Sequence, residues 1–383
     1  MPEPGSVIST ILKHDNKQTS YKIALLRSIN DVVLSYPDLR NSNRDVAIPL
    51  RALAEFWIAY YWPFMSAEKP ILQGAQAFRD GRLRNDVAFR PELTRLKTEW
   101  EALVGSSRPA DGFVITSEMR VSRTRDSYPK PLLKAYRAAA RKIATRLRQP
   151  IQYAGPGSWG VFDRPRPYQE LPSDVIAVPG TRERDVCLVA KAELWRTFQE
   201  VSLWVEALCI HEWSLFTETV VQAGARATGR GETYALLTDR PDNRRPLSWE
   251  RNEIDLLMME GRSFTCPWTG KQIKPGGYHI DHLVAISIYP TNELWNLVPA
   301  DPHFNLHVKR ARLPGQTALA SARPHLIETY RSYQESSALA EALGQDVRVR
   351  FGSLQHHLTS ERITDAVIDL LQMVAASRNL ATF

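Results

Sequence analysis

A chain of 383 residues, 43% hydrophobic and with a formal net charge of +7, is long enough for two or three cores and has the composition of a soluble globular protein. Its pI near 9.3 favours an anionic partner, a property that bears on binding rather than on fold. The three cysteines, Cys187, Cys209 and Cys266, form no CxxC pair. That speaks against a disulfide scaffold or a structural zinc and fits a reducing compartment.

At the N-terminus, "MPEPGSVISTILKHDNK" lacks the charged region and apolar core of a signal peptide. In "SYKIALLRSINDVVLSYP" (20–37), Ile23, Leu26, Ile29, Val32 and Val33 share one stripe at helical spacing, and Pro37 stops it. A second helix is expected to start at Pro49, a suitable first helical residue. The most apolar run, "FWIAYYWPFM" (56–65), is half the length of a membrane span and contains a proline, so it reads as a buried helix. The expectation is a cytoplasmic protein with no membrane contact.

"GSSRPADG" (105–112) reads as a loop. Between Arg120 and Arg148 stand ten Lys or Arg and one acid, Asp126, a net of ten minus one, +9. Lys130, Lys134, Arg137, Arg141 and Arg148 fall on one helical face, and Leu133, Tyr136, Ala140, Ile143 and Leu147 on a separate apolar stripe. Such a face can lie along a phosphate backbone, although a solvated surface helix has the same pattern. Residues 150–190 combine a Gly- and Pro-rich irregular stretch with the strand candidate "VCLVAK" (186–191). Helix follows over 192–224, and "DRPDNRRP" (239–246) is a turn-rich linker.

From residue 248 the chain changes character. Ser248 and Gly261 are suitable N- and C-caps for a helix over 249–260, and two short extended pieces then lead into "YHIDHLVAIS" (278–287). After a loop comes an apolar strand, "LWNLVPA" (294–300), then "DPHFNLHVKRARLP", a helix capped by Asp301 and stopped by Pro314. Asn305 and Lys309, four apart, share a face of that helix, with His303 and His307 roughly opposite. Asp281 and His282 would point to opposite sides of a regular strand, and can serve one site only if the strand twists or ends there. A carboxylate and an amide carbonyl, Asp281 and Asn305, suit Mg²⁺, and a neutral imidazole beside them has the pKa to take a proton from water. Residues 315–383 read as a helical C-terminal cap.

Asp281-His282, Asn296 fourteen residues after His282, Asn305 nine later and Lys309 four beyond resemble the motif of HNH endonucleases, which have a ββα-metal fold. By that resemblance Asp281 and Asn305 would hold one Mg²⁺ or Mn²⁺ and His282 would be the general base. Asn296 would brace the loop. The resemblance is confined to residues 248–314. It departs from many family members in lacking their zinc knuckles: Cys266 stands alone in "CPWT" and "DPHFN" has no cysteine. No structural zinc is therefore expected, with Trp268, Trp295 and Phe304 filling its place. His279 would be an accessory ligand, would orient His282 or, more simply, is a surface or hydrogen-bonded strand histidine, and His303 and His307 read as structural or DNA-facing. Lys309 would touch phosphate, cap the active-site face or stand in solvent.

The fold expected is α+β, a mostly α-helical chain with an embedded ββα-metal module: a helical region over 1–247, the module over 248–314 and the cap over 315–383. Seven basic and seven acidic residues leave 248–314 with no net charge, so phosphate contacts would come from the 120–148 helix and from Arg240, Arg244 and Arg245. The leading expectation is a metal-dependent DNA endonuclease, with RNA not excluded, and by family analogy a bacterial restriction or phage-defence effector. Two others stay open: a nucleic-acid-binding protein with an inactive HNH site, and a protein whose helical N-terminal region recruits a partner that switches the nuclease on.

Overall fold

The computed structural model describes residues 4–39, 43–79, 82–220, 228–243, 245–354 and 358–383. The chain is α+β and mostly helical, and its contacts divide it into two units. Met1–Thr116 with Asp126–Arg240 form the first, and Ser117–Arg125 with Pro241–Phe383 the second. No helix among the described residues is long and apolar enough to cross a membrane.

In the first unit the helices Tyr21–Ser35, Leu50–Tyr61 and Ala192–Thr219 surround an aromatic core. Tyr61 lies 4.9 Å from Phe89 and 5.0 Å from Trp213, ring centre to ring centre. "WIAYYW" (57–62) is buried there because its aromatic residues recur at helical spacing and find partners of their own kind. Pro49 ends a strand, Val46–Pro49, rather than opening the helix, which starts at Leu50. That strand is one of the two inner strands of a four-stranded sheet, pairing antiparallel with Val186–Ala190 and parallel with Ile176–Ala177. Val201 interrupts the long helix with non-helical dihedrals. The end of the helix expected over 192–224 lies outside the described residues.

The basic helix spans Lys130–Arg146 and packs on Arg90–Val104 and Leu50–Tyr61. Its buried stripe is Leu132, Ala135, Ala139, Ile143 and Leu147. Leu133, Tyr136 and Ala140, expected on that stripe, are only half-buried at its flank. Two apolar stripes run side by side here, and the one through Leu132, Ala135 and Ala139 is the one that is buried. Periodicity alone does not choose between them.

In the second unit, described residues between Leu247 and Leu380 share one hydrophobic core. The strand His279–His282 pairs antiparallel with Leu297–Ala300, setting Asp281 opposite Val298 and His282 opposite Leu297. The expected strand over 294–300 begins instead with a 3₁₀ turn, Leu294–Asn296. The helix Gln316–Glu335 clamps this segment: Tyr330 donates its hydroxyl to the Trp295 carbonyl at 2.6 Å and Tyr333 to that of Leu297 at 3.0 Å. Ser248 is the first residue of the helix Ser248–Met259, with Leu247 in the cap position and no side-chain cap bond.

Candidate functional site

Two levels of structure bring the site together. Locally, the 264–273 hairpin folds back on itself: Cys266 N–H donates to the Lys271 carbonyl at 2.8 Å and Ile273 N–H to that of Phe264 at 2.8 Å. Gly270, at φ +67°, closes the turn in a conformation that costs other residues. The thiol of Cys266 is buried and its sulfur accepts the Asp301 N–H at 3.3 Å, holding the hairpin to the start of the last helical element. Trp268 and Phe304 both pack edge-on against Phe383, at 5.5 and 5.4 Å. Trp295 goes elsewhere, to Phe351 at 5.5 Å and Tyr289 at 6.4 Å, so the three aromatics expected to act together form two groups.

Asp301 caps that last element, accepting the Phe304 N–H at 3.0 Å, and this bond together with Lys271 holds its carboxyl below the usual range. The helix expected to run toward Pro314 stops at Lys309. Phe304–Lys309 is π-helical, with the Arg310 N–H reaching the Asn305 carbonyl five residues back at 3.0 Å, and Arg310 at φ +52°. Such single π turns are uncommon and frequent at functional sites.

The turn brings Lys309 inward. Its ammonium donates to Asp281 Oδ1 at 2.9 Å and to the His282 carbonyl at 2.7 Å, and both side chains are nearly inaccessible, at 1% and 3%. Trp268 Nε1 donates to the other carboxylate oxygen at 2.8 Å. Lys309 thus neutralises a buried carboxylate and does not face a phosphate, because Asp281 left unpaired there would be costly.

His282, on the opposite face of the strand, is half-buried and meets Asn292 Oδ1 through Nε2 at 2.8 Å. Desolvation lowers its pKa, with the Asn292 bond and Asp281 opposing, so the imidazole is neutral at pH 7. Asn296 is fully buried: its Oδ1 accepts from Val284 N–H at 2.8 Å, and its amide donates to the carbonyls of Val284 at 3.1 Å and Thr291 at 3.3 Å. These bonds tie down both ends of the loop that leaves His282. Asn305 is half-buried, and among the described residues its side chain has no hydrogen-bond partner. His279 is half-buried on the strand, while His303 and His307 are exposed with rings 4.9 Å apart.

As donors, the Asp281 carboxylate and the unpartnered Asn305 amide fit a hard divalent cation in kind, since each carboxylate oxygen keeps a further lone pair. In this conformation such an ion would compete with Lys309 for the charge of Asp281. Among the described residues no three His, Cys, Asp or Glu side chains cluster to hold a metal.

The remaining cations sort clearly. Lys130, Lys134, Arg137, Arg141 and Arg148 are all exposed, without ion-pair partners among the described residues. Arg245 is drawn inward onto Glu118 at 3.0 Å and Glu250 at 2.8 Å, so the expected phosphate contact is instead an internal ion pair. Arg240 is exposed, and Arg244 lies outside the described residues. Trp268, Asn292 and Glu118 carry site contacts that were not read from the sequence. Asn292, in the polar loop ten residues after His282, could have been found there; Glu118, 174 residues before Asn292, gives no local signal.

Residues 2–237 match a family described as a domain of unknown function (DUF8808). The match covers more than half of this α+β chain, and the chain belongs to that family. The matched residues include Glu118 and the basic helix and end before the Asp281-His282 strand. No curated protein and no solved structure matches the chain.

Proposed function

We propose that this chain is a metal-dependent endonuclease of the HNH type, hydrolysing phosphodiester bonds in DNA with His282 as general base. One arrangement carries the reading: a neutral, desolvated imidazole directly follows a buried carboxylate on a strand end whose outgoing loop is tied down by Asn296. An imidazole kept neutral near pH 7 is suited to take a proton from water attacking phosphorus. A divalent ion held by Asp281 and Asn305 would supply stabilisation of the charge developing on the phosphate and the leaving oxygen. The exposed cations of the basic helix would neutralise backbone phosphates. A role in restriction or phage defence follows only by family analogy.

A second reading has its own observation. Lys309 already balances Asp281, as expected if the protein binds nucleic acid, or recruits a partner, with a site that is silent on its own.

Supercoiled plasmid, linear and single-stranded DNA, and RNA, incubated with Mg²⁺, Mn²⁺ or EDTA, separate the two. The nuclease reading expects metal-dependent cutting that falls by about 10²–10⁴-fold in His282→Ala, with substrate binding retained. Equal cutting by that variant overturns the mechanism; no cutting by the wild-type chain with either metal favours the second reading.

A further inference from the structure

We propose that Glu118 is a positioning residue for His282, acting through Asn292 to decide which imidazole nitrogen carries the proton. As a role in the nuclease this rests on the reading above; as a statement about the imidazole it stands alone.

The geometry determines each step. Asn292 Nδ2 lies 3.0 Å from Glu118 Oε1 and 3.3 Å from Asn243 Oδ1. A carboxylate only accepts hydrogen bonds, so the amide nitrogen must face Glu118 and the amide oxygen must face His282. Oδ1 accepts, therefore His282 Nε2, 2.8 Å away, is the protonated nitrogen of the neutral ring. Nδ1 is then the bare lone pair, and it is the atom able to take a proton from water. If the amide flipped, its NH₂ would face Nε2, the proton would move to Nδ1, and the base would be blocked on that side.

Glu118 can impose this because it is itself held. It is 2% exposed and paired with Arg245 at 3.0 Å, and Arg245 also binds Glu250 at 2.8 Å. Arg123 bridges Glu250 at 3.3 Å to Asp346 at 3.0 Å, and Asp346 accepts the Leu294 N–H at 2.7 Å, next to Trp295 and Asn296. The segment Ser117–Arg125 thus supplies one end, Glu118, and an inner link, Arg123, of a buried chain of charges that ends at Asp346. Such outer partners orient the group that does the chemistry, and their loss typically costs about 10–100-fold in function.

The test is nitrogen-15 NMR of the histidine rings in the full chain, at a pH where His282 is neutral, with His282→Ala assigning the resonance. Wild type is expected as the Nε2–H tautomer. Glu118→Ala and, as a second variant, Asn292→Ala are expected to lose that preference, with kcat falling about 10–100-fold and KM little changed. Glu118→Gln, whose amide oxygen still accepts from Asn292, is expected to keep the Nε2–H form. A wild-type Nδ1–H tautomer, or an Nε2–H form that survives in both alanine variants, overturns the proposal. Failure of the wild-type chain to cut any substrate counts against the nuclease reading and leaves the tautomer result standing.

Discussion

Along the helix Lys130–Arg146, Lys130, Lys134, Arg137 and Arg141 stand in solvent, unpaired among the described residues. In the second unit Arg123, Arg245 and Lys309 are instead drawn onto carboxylates that are almost wholly buried. Chemically similar residues do opposite work. An exposed cation is well hydrated, contributes little to stability and is free to meet a phosphate, whereas a buried one is part of the structure and strongly destabilising to remove. Counting charges along the sequence treats the two alike.

The largest effect should come from breaking an interior pair. Lys309→Met leaves Asp281 buried and unpaired, and is expected to destabilise the chain by about 3–5 kcal/mol, read from the denaturant midpoint. Millimolar Mg²⁺ should recover part of that loss in the variant and little in wild type, because the ion replaces the missing charge. Recovery by neither Mg²⁺ nor Mn²⁺ would argue that Asp281 is not a metal ligand.

A smaller effect follows from Asp346. Burial, reinforced by nearby Glu293 and opposed by Arg123, pushes its carboxyl from 3.8 up to about 7. Burial also raises Glu293, against the pull of Trp295, Arg120 and Arg350. The folded state then holds a proton that the unfolded state has released, so this contribution to stability is present at low pH and is lost as pH rises toward 7. The stability difference between wild type and Asp346→Asn should therefore change between about pH 4 and 7. A constant difference would mean that Arg123 keeps the carboxylate ionised throughout.

The smallest effect on stability belongs to the outer cations. Reversing Lys134, Arg137 and Arg141 to Glu should move stability by no more than about 0.5 kcal/mol per site. It should weaken DNA binding and flatten the salt dependence by about 0.9 in log–log slope for each phosphate that is no longer neutralised. Unchanged binding would make this an ordinary surface helix.

Much of the local architecture was legible. The stripe Ile23 to Val33 marks the helix Tyr21–Ser35, and "VCLVAK" contains the strand Val186–Ala190. Of the polar residues singled out around 281–309, Lys309 reaches Asp281 and Asn296 binds the loop after His282. What was misread has a common cause. The cap and proline signals around Asp301 and Pro314 point to an α-helix because they do not report a π-helical register, and that register accompanies the inward turn of Lys309. Arg245 has the sequence surroundings of a phosphate contact because Glu118, its partner 127 residues earlier in the chain, gives no sign of itself there.

The sequence by itself determined where helices such as Tyr21–Ser35 and strands such as Val186–Ala190 form. Those outcomes depend on spacing, capping and turn chemistry that act over a few residues. Only the tertiary structure decided which cations face solvent and which face carboxylates, that Asp281 carries Lys309 as its counter-ion, and that Glu118 and Asn292 stand behind His282. Each of these depends on burial, which raises the cost of an unpaired charge until a partner distant in the chain supplies the balance.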